Sequence, residues 1–202
     1  DYSDFGAQVS CRKDSRAVMQ PDEVDLVARS KGNDLFAFNQ IVERYQTQVY
    51  NLSARILGDR TAAADVTQET FISAHRAIGS FRGGSLRAWL LRIASNRSYD
   101  FIRSSRRHPE RSLDESLENP MFQIASEGPS PEQMALREEL RAGIQQAISS
   151  LPPVQRAVLT MVDVQWLSYE EAAEAADVSL GTVKSRLSRA RAAVRDLLLQ
   201  HR

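Results

Sequence analysis

Cysteine is almost missing from this chain of 202 residues: only Cys11 is present, which excludes an internal disulfide framework and any zinc site built from cysteine ligands. Histidine is scarce too. His75, His108 and His201 lie far apart, and Asp65 with Glu69 at i, i+4 find no histidine on their face, so no metal-ligand constellation forms. No glycine-rich loop has the spacing of a phosphate-binding P-loop. Long apolar runs are lacking as well. The best are Ala88-Trp89-Leu90-Leu91 and Val158 to Val162, well short of the ~20 residues that span a bilayer. Residues 1–20 have no apolar stretch of the kind a secretory signal requires, and with no initiator Met they are expected to be a disordered tail or tag. These absences lead to the expectation of a cytoplasmic protein that is not an enzyme. No cofactor, no metal, no small-molecule substrate and no direct membrane insertion are expected.

An excess of charge of one sign is also missing, since 26 Lys and Arg balance 26 Asp and Glu. The average conceals a pattern. Residues 82–111 carry eight Arg against Asp100 and Glu110, residues 178–202 carry six cations against Asp196, and residues 112–140 carry seven carboxylates against Arg137. Two basic blocks separated by an acidic spacer suit two footprints on an anionic polymer, because phosphate contacts need clustered Arg and Lys.

No segment alternates as a strand does, and nearly all show helical periodicity. The expected fold is all-α: two small helical domains joined by a flexible acidic linker, the second carrying a helix-turn-helix. Phe38, Val42, Tyr45, Val49, Leu52 and Ile56 mark one face of a long helix with Gly58 as its stop. A shorter helix around Asp22–Ser30 precedes it. A further helix follows Asp59, and Ser85 caps another that runs to about Arg103, after a loop freed by Gly83 and Gly84. Proline and acidic residues interrupt the pattern over 108–133, the expected linker. It resumes with Met134, Leu140, Ile144, Ala147, Ile148 and Leu151, stops at Pro152-Pro153, and restarts over Val154–Val162. The expected units are therefore 21–107 and 134–202.

The C-terminal block carries the sharpest local motif. Ser168-Tyr169-Glu170-Glu171 reads as a capping box, and the short helix it opens ends at Asp177, a residue type that tolerates a left-handed turn. Ser179 caps a second helix with Val183, Leu187, Ala190, Val194 and Leu197 inward, and with Thr182, Lys184, Ser185, Arg186, Ser188 and Arg189 off that stripe. A short helix, a tight turn and a basic second helix suit major-groove reading, with Arg186 and Arg189 able to reach base edges or phosphates. In the first block, Asp65, Gln68 and Glu69 share one helix face. Arg92, Asn96, Tyr99 and Arg103 share another, where cations and an aromatic ring suit unpaired bases.

Taken in order, Asp65-Val66-Thr67-Gln68-Glu69-Thr70-Phe71, then Phe81-Arg82-Gly83-Gly84-Ser85 with Trp89-Leu90-Leu91-Arg92-Ile93-Ala94-Ser95-Asn96 and Asp100, then Leu151-Pro152-Pro153, then the run from Gly181 to Arg191, the chain resembles a bacterial RNA polymerase sigma factor. The family is sigma-70 and the group is extracytoplasmic-function (ECF). The resemblance implies a factor that binds core RNA polymerase, directs promoter recognition, DNA melting and transcription initiation, and is held by an anti-sigma factor. It assigns Asp65, Gln68, Glu69 and Phe71 to the beta-prime clamp helices of the polymerase, with the beta subunit as a further contact. It assigns Phe81, Arg82, Ser85, Arg87, Arg92, Asn96, Arg97, Tyr99 and Arg103 to the minus-ten element, read with a flipped base. Ser179, Gly181, Thr182, Lys184, Ser185, Arg186, Ser188 and Arg189 are assigned to the minus-thirty-five element as duplex. Two departures stand out: Asp177 occupies a position commonly Gly in relatives, and Ala172, Ala173, Ala175 and Ala176 replace larger aliphatics, so that helix must pack closely or weakly. A response-regulator output domain shares the Thr-Val-Lys run of the second helix but needs a receiver of alternating strands and helices. A sigma mimic would be free to lose the basic residues retained here.

Overall fold

The structure is a computed structural model that describes residues 21–107 and 143–200. The expected tail 1–20 with Cys11, the linker 108–133, Met134 and Leu140 lie outside the described residues. All regular elements within them are helical.

Helix α1, Pro21–Lys31, opens on a proline, whose missing N–H costs nothing in a first turn. Helix α2, Leu35–Leu57, is capped by Asp34, which accepts from the amides of Phe36 and Ala37. It ends at Gly58 with φ +76°, a left-handed conformation that glycine adopts without a Cβ penalty. Asp59 caps α3, Arg60–Ala77, by accepting from Ala62 N–H. Of the stripe expected on α2, Phe38, Tyr45, Val49, Leu52 and Ile56 are buried, with Val49 and Leu52 at 0% exposure, and Val42 is half-buried. Side chains such as Ile41, Leu52 and Ile56 contribute about 1.5–3 kcal/mol each by leaving water.

After one 3-10 turn, Ile78–Ser80, Gly83 and Gly84 both take positive φ, and Ser85 accepts from Ala88 N–H at the head of α4, Leu86–Arg107. Helix α4 is unusual in burying a wide arc: Leu86, Leu90, Ala94, Ser98, Leu91, Ser95 and Ala88 follow one another around about half its circumference. One side of the explanation is local: α2, α3 and α4 pack as a three-helix unit with α1 against α2. The other is not local at all, because α4 also packs along a helix from the far end of the chain.

That far end begins with helical residues 143–149 and continues with α5, Pro153–Leu159. Where the sequence suggests uninterrupted helix over Val154–Val162, the chain widens into a π turn, Thr160–Val164, closed by Gln165 N–H on Thr160 O at 2.9 Å. Trp166 follows at φ +60°. Helix α6, Tyr169–Ala176, has the expected capping box: Ser168 Oγ accepts from Glu171 N–H at 3.1 Å while Glu171 Oε2 accepts from Ser168 N–H at 3.0 Å. Asp177 is left-handed, at φ 53° and ψ 48°. Helix α7, Leu180–Gln200, buries Val183, Leu187 and Ala190 of its expected stripe, and leaves Val194 and Leu197 half-buried.

Ala172 and Ala175, at 0% and 1% exposure, resolve the choice between close and weak packing. Small side chains let the α6 backbone approach closely, and α6 lies against α4 as well as α7. The buried residues of both blocks form one continuous hydrophobic cluster. The described helices of the two blocks close on each other.

Candidate polymerase and DNA interfaces

On α3, the 3.6-residue period carries Val66, Thr70 and Phe71 into the core and leaves Asp65, Gln68 and Glu69 exposed. These three acceptors form an uncovered polar ridge, and no helix of the described residues crosses it. Phe71 is 7% exposed, so its ring forms a wall beneath the ridge rather than part of its surface. It lines a groove of about 850 Å³ between α2 and α3, together with Phe38, Val42, Gln68 and Ile72. Leu35, Phe36 and Ile72 stay exposed nearby.

The loop before α4 is held from behind. Lys31 Nζ donates to Phe81 O at 2.6 Å, and the Phe81 ring packs on Trp89 with centroids 5.2 Å apart. Phe81 is therefore buried, whereas Arg82 projects from the loop. Along α4, Asn96, Arg97 and Arg103 are exposed. Arg97 donates to Ser73 Oγ at 2.8 Å, and Arg103 pairs with Asp100 one turn before it.

The other α4 candidates face the end of the chain. Ser85 Oγ donates to Glu171 Oε1 at 2.9 Å. Arg87 Nε donates to Gln48 Oε1 at 2.6 Å, and its Nη2 donates to Gln165 O. Burial at this seam pulls the Arg87 guanidinium below its usual value, with Glu171 opposing. Arg92 Nη2 lies 2.8 Å from Asp177 Oδ1. Tyr99 is half-buried, and burial pushes its hydroxyl above the usual phenol value, opposed by the charge of Arg186 from α7. Of the face shared by Arg92, Asn96, Tyr99 and Arg103, then, Asn96 and Arg103 point to solvent while Arg92 and Tyr99 meet α6 and α7.

On α7 the first turn is ordered by Ser179, whose Oγ accepts from Thr182 N–H at 3.2 Å and lies 2.9 Å from Thr182 Oγ1. Gly181, Lys184, Ser185, Ser188 and Arg189 are exposed, and Thr182 and Arg186 half-buried. Arg189 Nε donates to Ser185 O at 3.2 Å, which aligns its guanidinium along the helix surface. Arg191 instead forks onto Asp163 at 2.9 and 2.5 Å, tying α7 to the π turn.

Sequence reasoning missed the residues that join the two blocks. Gln165 Nε2 donates to Gln48 O at 2.8 Å. Arg156 Nη1 donates to the carbonyls of Arg55 and Ile56 at 3.1 and 3.2 Å, and its Nη2 to Leu151 O at 2.9 Å and to Ser149 O. Arg156 thereby caps the C-terminal carbonyls of α2, where a cation also complements the helix dipole. Its only advance signal was its place as the lone charged residue between Pro152 and Val162.

A helical fold with an exposed basic face on the second helix of a helix-turn-helix defines the class of DNA-reading proteins. Family models agree: Sigma-70 region 2 matches residues 41–108, and Sigma-70, region 4 matches residues 141–194. The chain is 41% identical over 175 residues to the ECF RNA polymerase sigma-E factor of Escherichia coli (strain K12), covering 84% of this chain and 90% of that one. It is 36% identical over 165 residues to the ECF RNA polymerase sigma factor SigE of Mycolicibacterium smegmatis, covering 82% of this chain and 63% of the relative. Among solved structures, the sigma factor RpoE in complex with the anti-sigma factor NepR from Bartonella quintana superposes with a TM-score of 0.64 at 26% identity, over 82% of this chain and 98% of that one. The chain belongs to the sigma-70 family, in its extracytoplasmic-function group. Its function is that of a sigma factor: it acts with core RNA polymerase in promoter recognition and transcription initiation. None of the described helices is long and apolar enough to cross a membrane.

Proposed function

We propose that residues 21–107 and 134–202 act as the two functional units of this sigma factor, in the cytoplasm. The polar ridge of Asp65, Gln68 and Glu69 docks on the beta-prime clamp helices of the polymerase, with Phe71 bracing it from the core. Arg82, Asn96, Arg97 and Arg103 meet the melted minus-ten strand as exposed cations and an amide. Ser85, Arg87, Arg92 and Tyr99 join them once α4 is uncovered, and Phe81 braces the loop before α4 from the core. Lys184, Ser185, Arg186, Ser188 and Arg189, placed by the turn of Ser179, Gly181 and Thr182, read the minus-thirty-five duplex. An anti-sigma factor is the expected controlling partner, since the similar solved chain RpoE is bound by one. The observation that carries this reading is the exposure of the polar ridge on α3 and of the basic face on α7. Neither has a packing role that would account for its composition.

In vitro transcription with bacterial core polymerase and a randomised promoter library tests it. Discrete starts sharing two spaced motifs are the expected result. Glu69→Ala should weaken core binding at least tenfold, while Arg97→Ala should spare core binding and impair promoter opening. Binding of DNA without any binding of polymerase would defeat the ridge assignment.

A further inference from the structure

Lys31, which no periodicity or motif singles out, is the last residue of α1. Its Nζ donates at 2.6 Å to the carbonyl of Phe81, fifty residues further along the chain. The same ammonium lies 6.0 Å from the centroid of the Phe81 ring, the outer reach of a cation–π attraction. The corner from which this side chain departs is rigid. Asn33 takes φ +67°, and Gly32 N–H and Asp34 N–H bond back to Ala28 O and Arg29 O at 3.3 and 3.1 Å. Arg29 closes the turn by donating from Nε and Nη2 to Asp34 Oδ2 at 2.9 and 2.8 Å.

The loop that Lys31 reaches has little to hold its own shape. Arg82, Gly83 and Gly84 are exposed and make no hydrogen bond with the described residues. Gly83 and Gly84 sit at φ +96° and +94°, where only glycine is at ease, and the space beside Gly83 is open. The loop is therefore fixed at its ends. At the exit, Ser85 Oγ accepts from Ala88 N–H at 3.2 Å. At the entry, the Phe81 ring packs on Trp89 and Phe81 N–H bonds to Ile78 O at 3.1 Å. Those two contacts fix Phe81 but leave its carbonyl free to rotate. The bond from Lys31 sets the plane of the Phe81–Arg82 peptide, and with it the direction in which Arg82 and both glycines leave the core.

We propose that Lys31 is a positioning residue for minus-ten recognition: by holding Phe81 O it sets the path of residues 82–84, and so the discrimination among unpaired bases captured against that loop. The inference rests on the assignment of this loop and α4 to the minus-ten element given above. Discrimination demands groups held to within about 0.5 Å of their working positions. Released from Lys31, two consecutive glycines give the loop many paths, of which few fit the base. The loss then falls on selectivity. A direct contact of the Lys31 ammonium with a DNA phosphate has the opposite signature, because phosphate contacts carry no sequence information.

The test gives holoenzyme, assembled from the full chain and bacterial core polymerase, a pool of single-stranded DNA with a randomised run, and sequences the bound fraction. Lys31→Met keeps the aliphatic stem and removes the donor. It should lower the base preference at one position of the selected motif about fivefold, a size that one hydrogen bond from a charged donor sustains, with an unchanged salt dependence. Lys31→Arg keeps a cation with N–H donors and should restore the preference to within about twofold. Core affinity and circular dichroism should not change in either variant, since Lys31 is exposed and stands apart from the α3 ridge. On the free chain, NMR order parameters of Gly83 and Gly84 should fall in Lys31→Met from about 0.85 towards about 0.6 and recover in Lys31→Arg. Unchanged base preference in Lys31→Met overturns the inference. So does a uniform loss over all sequences with a salt slope about one unit shallower, which marks a phosphate contact. Unchanged order parameters overturn it without polymerase or DNA. A pool from which the unmodified holoenzyme selects no motif would count against the minus-ten assignment instead, and the order parameters would still decide whether Lys31 braces the loop.

Discussion

Replacing Arg156 with leucine removes a guanidinium that accepts nothing and donates to four backbone carbonyls, those of Arg55, Ile56, Leu151 and Ser149. Two of these are last-turn carbonyls of α2 with no partner inside that helix. A hydrogen bond from a charged donor contributes about 1.5–3 kcal/mol net. Four of them sharing one cation, partly open to water, contribute less than the sum, about 4–5 kcal/mol. Leucine recovers some of this, because burial of Arg156 pulls its guanidinium below the usual value and its Nε is orphaned. An apolar replacement escapes both costs, together about 1–2 kcal/mol. The expected net loss is therefore about 3 kcal/mol, or roughly 6–12 °C in Tm for a domain of this size. Urea unfolding of the full chain followed by circular dichroism measures it. Arg156→Lys, with one ammonium for four acceptors, should lose about half as much. A loss below ~0.5 kcal/mol in Arg156→Leu would refute the view that this side chain staples α5 to the end of α2.

Ser168→Ala should cost about 1 kcal/mol and lower the protection of α6 amides from hydrogen exchange, because it opens the capping box; unchanged protection of the Glu171 amide would contradict this. Arg29 beside Asp34 holds that carboxyl below the usual carboxylate range, with help from the amides it caps. A carboxyl lowered on folding stabilises the fold above its unfolded value of about 3.9. That contribution disappears as pH falls through the lowered native value. Carboxyl-carbon NMR should show Asp34 titrating below its ordinary value in the native chain and returning to it in Arg29→Ala; an ordinary value in both would remove the pair from the account. Arg189→Ala should weaken minus-thirty-five duplex binding by about 1–3 kcal/mol, and a salt slope about one unit shallower would mark a phosphate contact.

Much of the local architecture could be read from residue spacing. The six-residue stripe on α2, the stops at Gly58 and Asp177 and the caps at Asp59, Ser85, Ser168 and Ser179 are all enforced by interactions within a few residues. The exposed ridge of Asp65, Gln68 and Glu69 followed from period alone. What stayed hidden was set by distant contact. Phe81 and Phe71 looked available for partners but complete the core. Arg87 and Arg92 looked like free cations but meet Gln165 and Asp177. The alanines of α6 pointed to close packing without naming the partner, since a small side chain fits any helix that comes near. The π turn left no mark in the periodicity, because one wide turn among apolar residues changes few of their positions.

That π turn is a single residue's worth of extra backbone between α5 and α6, with Gln165 N–H bonded to Thr160 O five residues back. An α-helix advances about 100° per residue. Deleting one residue from Thr160–Val164 would restore a regular helix and swing everything that follows by more than a quarter turn about the α5 axis. Gln165 would leave Gln48, Arg191 would leave Asp163, and α6 would lose its seat on α4. Homologues that differ by one residue here are thus expected to differ in how the DNA-reading unit is mounted, even where the reading helix itself is unchanged letter for letter.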